Sequence, residues 1–300
     1  MFGKNKSKYL SYLPLVLGIC CLLYPMVSDF INKKELADII ANQHEQVVRV
    51  CRDENRLEDK KSQALKYNEI LKSSMSTIVD PFDPDQVVIT HDDYDSLLNI
   101  AGDSVMATLI IPTIGVQMPV YHGVSDEVLQ KGIGHIHNTS LPIGGKSSHC
   151  VLTGHTGLPA MRILDRLTEM KIGDIFIIDV LDERHAYEVY DIEEVEPSHT
   201  ESLSIKDDED LCTLVTCTPF GVNTKRLLVH GRRCEVPEAY KDADIVIKND
   251  LPSYLTQSST QLIPFSIAGI VAGVVVVLGV GKIQEKRKLT STSHKPAHFK

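Results

Sequence analysis

Apolar and polar positions are arranged in three different ways along the 300 residues of the chain. From Leu10 to Ile31 apolar residues are nearly continuous, broken by Pro14, Pro25 and Asp29. The uninterrupted part, Leu13 to Val27, falls between the core of a signal peptide and a membrane-spanning helix in length. Residues 1–31 read as a basic start and a signal anchor or signal peptide, and the lack of a small-x-small cleavage site after it favours an uncleaved anchor. Over residues 32–75 the pattern becomes a helical stripe: Leu36, Ile39, Ile40, Gln43 and Val47, then Leu57, Ala64 and Leu71. No Gly or Pro interrupts it, which predicts one or two amphipathic helices. The charge-rich part from Arg52 to Lys61 is a solvated face.

From Val105 the period shortens. Short apolar runs lie at Met106–Ile111, Val116–Tyr121, 149–154, 174–181, 186–195, 211–217 and 226–232, punctuated by Gly and Pro. A short helix is predicted from Ser125, as N-cap, to Lys131. A second brief helical stretch is expected at Met161–Glu169, and a Gly-, Ser- and Pro-rich loop at 132–147. Many short strands at this spacing predict a mostly β domain over 91–240, a barrel or a sandwich. A linker, 241–261, leads to a last apolar run, Leu262–Gly281, long enough to span roughly 30 Å of hydrocarbon. Residues 282–300 are a basic tail.

Charge sharpens this division. The net charge is −9, with +3 on Lys4, Lys6 and Lys8 and +5 from Lys282 onward, which leaves −17 for residues 9–281. So acidic a body excludes nucleic acid as a partner. Basic ends beside two apolar runs predict a membrane protein with both termini in the cytoplasm and the acidic body outside. Seven cysteines show no metal-site or disulfide-framework spacing. His135, His137 and His149 lack a fourth ligand at a matching interval, and Asp207–Asp210 reads as a solvated loop rather than a Ca²⁺ site. No cofactor or metal is expected.

The candidate chemistry lies in Thr213–Arg233, TLVTCTPFGVNTKRLLVHGRR. It reads as strand, turn, strand, with Pro219, Gly221 and Asn223 in the turn. An antiparallel hairpin would bring Cys217, at the end of the first strand, near Arg226, at the start of the second. Cys150-Val-Leu-Thr-Gly-His155 is a further strand, and His155 at its end is a possible base for a thiol nucleophile. Arg226 cannot act as a base but can stabilise an oxyanion. Each residue also has an ordinary explanation: a small core thiol, a hydrogen-bonded imidazole, a solvated guanidinium. Spacing alone does not choose between them.

Those same residues carry a family resemblance. Thr213-Leu-Val-Thr-Cys217 followed by Arg226 resembles the sortase signature, and Leu152-Thr-Gly-His155-Thr-Gly-Leu-Pro159 is similar to the segment with the sortase histidine. Pro119–Gly123, Gly134–Ile136 and Thr139–Pro142 match flanking segments, and the likeness covers about residues 76–235. Asp80-Pro81-Phe82, within a loop at 76–90, resembles the lid of the class C, pilus-building sortases. The resemblance implies an eight-stranded β-barrel, with Cys217 as nucleophile, His155 as general acid/base and Arg226 as stabiliser. It implies transpeptidation at the Thr–Gly bond of an LPxTG-like sorting signal, with pilin subunits and their acceptor lysines as partners. The lid it implies sets Asp80 against Arg226 as a solvent-exposed ion pair and Phe82 over Cys217. Attachment of proteins to cell-wall peptide is the alternative enzyme activity, and an inactive pilus-assembly scaffold the non-enzymatic one. A papain-like protease is disfavoured, because there the Cys precedes its His in the chain.

Overall fold

The computed structural model describes residues 4–73, 78, 80–82, 93–157 and 163–241. The expected span at 262–281, the linker, the basic tail and much of the 76–90 loop lie outside them. Among the described residues, 28–241 belong to one compact unit and 4–27 to another.

Eight strands close into a barrel in the order β1-β2-β3-β4-β7-β8-β6-β5. They are β1 (Val105–Ile111), β2 (Val116–His122), β3 (Ile133–His135), β4 (Ser148–Thr153), β5 (Ile175–Val180), β6 (Glu183–Val195), β7 (Asp210–Thr218) and β8 (Lys225–Cys234). Seven coincide with the apolar runs of the sequence. The eighth, β3, lies inside the segment expected to be a loop. Only three residues long, it is defined by its neighbours, pairing parallel with β2 and antiparallel with β4.

Period-two alternation sorts the side chains of each strand. In β4, Cys150 and Leu152 face the main core while Val151 joins a second cluster; in β7, Cys212 and Leu214 face the core and Val215 the second cluster. That second cluster, completed by Ile136, Leu203 and Leu228, seals the outer side of the sheet. Among the described residues, closing the sheet leaves no open sheet edge.

Two helices precede the barrel, α1 (Lys4–Cys51) and α2 (Glu54–Ser73). Helix α1 runs on through Pro14 and Pro25. Among the described residues no helix is long and apolar enough to cross a membrane. Gln43 of α1 accepts a hydrogen bond from Thr108 of β1, which explains why β1 is buried on both faces. Asn68 of α2 clamps the backbone of Leu141, donating to its carbonyl at 3.3 Å and accepting from its amide at 2.7 Å. The predicted short helix is α3 (Asp126–Lys131), and its cap is as expected: Ser125 Oγ accepts from the Val128 amide. Of the stretch at Met161–Glu169, only a single 3₁₀ turn, Leu167–Glu169, is found among the described residues.

Candidate active site

Sheet register brings the three chemically interesting residues together. β4 and β7 run parallel, with Thr153 opposite Val215. Two residues further along each strand lie His155 and Cys217, so both emerge from the same end of the barrel on neighbouring strands. β7 and β8 form the predicted hairpin, and Cys217 stands directly opposite Arg226. Three adjacent strands, spaced about 4.8 Å apart, thus deliver imidazole, thiol and guanidinium side by side.

The local chain around His155 is tightly held. A Cβ on Gly154 would approach Ile163, Ile133 and Leu164 to 2.9–3.1 Å, so only glycine passes there without displacing core side chains. Gly154 N–H donates to Val215 O at 3.2 Å, the last backbone bond between the two strand ends. Thr216 Oγ1 donates to Gly154 O at 2.8 Å and is also hydrogen-bonded to Thr156 Oγ1. The His155 carbonyl accepts from Leu164 N–H.

The Asp80–Phe82 segment lies over this row. Asp80 accepts two hydrogen bonds from Arg226, Nε to Oδ1 at 2.8 Å and Nη2 to Oδ2 at 2.7 Å. Both side chains are only 9 % exposed, so the expectation of a solvent-exposed pair is corrected: this is a buried, bidentate one. The reason is Phe82, whose ring lies 5.0 Å from the Arg226 guanidinium carbon and 5.5 Å from the His155 ring. Phe82 thus covers the imidazole and guanidinium that flank Cys217. The remaining arm of Arg226, Nη1, donates to the carbonyls of Asn223 and Lys225 in the hairpin turn.

This cover sets the protonation states. Burial pushes the Cys217 thiol up; Arg226 pulls it down and Asp80 adds to the rise. Burial pushes His155 down, against a weaker pull from Asp126. Arg226 is itself held above its ordinary value: burial opposes its charge, but hydrogen bonding to Asp80 and the negative charges of an ionised Cys217 and of Asp80 outweigh burial. With the segment in place both reacting groups are therefore biased toward their neutral forms. Asp80→Ala removes one cause of the thiol's rise and admits water, which weakens a second. Alkylation of Cys217 by iodoacetamide should then titrate at lower pH than in wild type, and faster at pH 7. A midpoint that stays put or moves up would contradict this account.

Tyr94, which no sequence signal beyond one aromatic in an acidic run distinguishes, is a buried anchor ahead of β1. It is 1 % exposed and packed among the rings of Tyr67, His122, His135 and His137. His135 Nε2 faces the Ser140 carbonyl at 2.9 Å and must carry the ring proton, so Tyr94 O–H donates to Nδ1 at 2.8 Å. Burial, the main cause, pushes His135 down to about 3. His149 has other partners, Ser204 O and Thr213 Oγ1, and does not share that site. Asp210, expected in a solvated loop, instead accepts from Gly145 N–H and Tyr187 O–H. Cys20, Cys150, Cys212, Cys217 and Cys234 are free thiols.

Comparison with known proteins bears directly on this row. The sortase domain model matches residues 109–234, which carry His155, Cys217 and Arg226. The crystal structure of sortase C-1 from Actinomyces oris is 42 % identical, with a TM-score of 0.56, and the match covers 61 % of this chain and 99 % of that one. The chain belongs to the sortase family. Its class is C, in line with a second structure, a Streptococcus pneumoniae sortase C, at 37 % identity and TM-score 0.60, with 66 % of this chain and 97 % of that one covered. Among curated proteins the sortase resembles sortase D of Bacillus subtilis, 27 % identical over 128 residues, and sortase A of Streptococcus agalactiae, 24 % identical over 158. The matches take in 42 % and 47 % of this chain and 62 % and 63 % of those relatives' lengths.

Proposed function

We propose that this sortase is a cysteine transpeptidase that cleaves an LPxTG-like sorting signal between Thr and Gly and transfers the acyl group to a lysine of a pilin subunit. The observation that carries the proposal is the adjacent placement of His155, Cys217 and Arg226 at one barrel end. The Cys217 thiolate attacks the Thr carbonyl, and Arg226 stabilises the oxyanion. Collapse breaks the Thr–Gly C–N bond, His155 protonates the departing amine, and a thioester to Cys217 remains. A lysine amine then attacks the thioester, loses a proton to His155 and releases the thiolate, leaving an isopeptide bond.

In this scheme Asp80, Pro81 and Phe82 form a lid. Asp80 occupies the fork of Arg226 that the oxyanion needs, so lid and substrate exclude each other. Burying Phe82 contributes roughly 1.5–3 kcal/mol to closure. A lid held by a few kcal/mol leaves an open population on the order of 0.1–10 %, enough for a sorting signal to capture. The run Leu262–Gly281, followed by Lys282, Lys286, Arg287 and Lys288, supports anchoring in the cell membrane with the barrel outside.

The pilin acceptor rests on the class of the structural relatives; the Streptococcus pneumoniae sortase C structure is described as giving insight into that enzyme's catalysis and pilin substrate specificity. The test is incubation of the full chain with purified pilin subunits bearing an LPxTG-type signal, wild type beside Cys217→Ala. Covalent ladders with the wild type alone are expected. Cleavage of the signal without polymer would replace the pilin lysine with another amine, such as a cell-wall peptide. Neither cleavage nor polymer would leave the scaffold alternative.

A further inference from the structure

The β4–β7 ladder ends at Thr153 and Val215, one backbone bond short of the residues that matter. Past that point the two chains must stay together without ladder hydrogen bonds, yet His155 and Cys217 need a fixed separation. Two hydroxyls bridge the gap. Thr216, immediately before Cys217, sends its single hydroxyl hydrogen to the carbonyl of Gly154, immediately before His155. Because that hydrogen is committed, the bond between Thr216 Oγ1 and Thr156 Oγ1 has Thr156 as donor. Thr156 immediately follows His155. The bridge therefore grips the histidine segment on both sides of His155 and ends one residue from the nucleophile. Thr216 is 1 % exposed, so water does not compete for its bonds.

We propose that Thr216 and Thr156 are positioning residues: their hydroxyl bridge sets the spacing of His155 and Cys217 beyond the end of the strand pairing. The idea rests on the transpeptidase reading only for its effect on turnover; the spacing itself is independent of substrate. Thr216→Val keeps the shape and removes both roles of the hydroxyl. Thr156→Val removes one donor from a half-buried position and should fold normally. Thr216→Ser restores the hydroxyl.

The spacing is read first, without substrate, by treating the full chain with 1,3-dibromoacetone, which alkylates a thiol and then an imidazole within reach. Peptide mapping by mass spectrometry gives the fraction of Cys217 joined to His155. Wild type and Thr216→Ser should cross-link alike, Thr216→Val about fivefold less and Thr156→Val to an intermediate extent, with single alkylation of Cys217 similar in all four. Turnover of an LPxTG-type peptide is read second. A displacement of about 1 Å can cost on the order of a hundredfold, so Thr216→Val should lose tenfold or more in kcat, with KM within twofold and Ser restoring most of it. The two valines together should cost little more than Thr216→Val alone, as expected of a single unit. Unchanged cross-linking in both valine variants overturns the proposal, as does failure of Thr216→Ser to restore it. If Thr216→Val does not fold, Thr156→Val decides by the same measure. Cross-linking that falls as expected while wild type turns over no peptide would leave the bridge standing and remove the transpeptidase reading instead.

Discussion

Arg226→Ala should lose about a hundred- to a thousandfold in turnover of an LPxTG-type peptide while exposing Cys217 to faster alkylation. The two effects separate because Arg226 has two partners at different times. In the structure its fork is filled by Asp80, with Phe82 packed against its face. Removing the guanidinium leaves the Asp80 carboxylate buried without a cation, a state costly enough to expel the lid. In turnover, the same fork is proposed to meet the oxyanion, and loss of one such donor costs about 10²–10³ in rate. Alkylation should be measured at a pH high enough to ionise the thiol in both proteins, so that access and not ionisation governs the rate. Arg226→Lys should lie between wild type and Ala, since it keeps the charge but cannot form the two parallel bonds. Turnover within tenfold of wild type in the Ala variant would remove Arg226 from the reaction, and slower alkylation would remove it from the lid.

Gly231→Ala should destabilise the barrel strongly while leaving the chemistry of the site intact. Gly231 pairs with Cys212 across β7 and β8. A methyl group there would stand 2.5 Å from the ring of Phe176 and 2.8 Å from Tyr187 Cβ. Those two rings are stacked, with centroids 5.5 Å apart and an angle of 17°, and both are fully buried. Neither can turn aside without disturbing the main core. Overpacking of this kind costs about 1–3 kcal/mol. For a domain of this size each kcal/mol lowers the melting temperature by roughly 2–4 °C, so a drop of up to about 12 °C is expected in a thermal melt. Peptide turnover measured well below the melt should match wild type, because His155, Cys217 and Arg226 sit at the far end of β7 and β8. A melting temperature unchanged within 1–2 °C would mean the core absorbs the methyl group.

The sequence disclosed the parts of this molecule that are decided locally. Runs such as Met106–Ile111 and Leu227–Val229 alternate or bury completely, and each became a strand. Pro219, Gly221 and Asn223 marked the hairpin that sets Cys217 opposite Arg226. What escaped was decided by distant partners. β3 has only Ile133–His135 and takes its identity from β2 and β4. The burial of Arg226 depends on an aspartate 146 positions earlier, which composition cannot bring near. Thr156 and Thr216 are 60 positions apart, and each looks unremarkable in its own segment.

The parallel pairing of β4 with β7 has a consequence for when the enzyme comes into being. The chain between Thr153 and Asp210 holds the whole of β5 and β6, and both must find their places before the ring of strands can close. Contacts of such long range form slowly and late, parallel ones especially. A partly folded chain thus carries the thiol of Cys217 for some time with no imidazole beside it. The pairing of thiol and imidazole arrives together with the finished barrel, so a partly folded sortase lacks the assembled site.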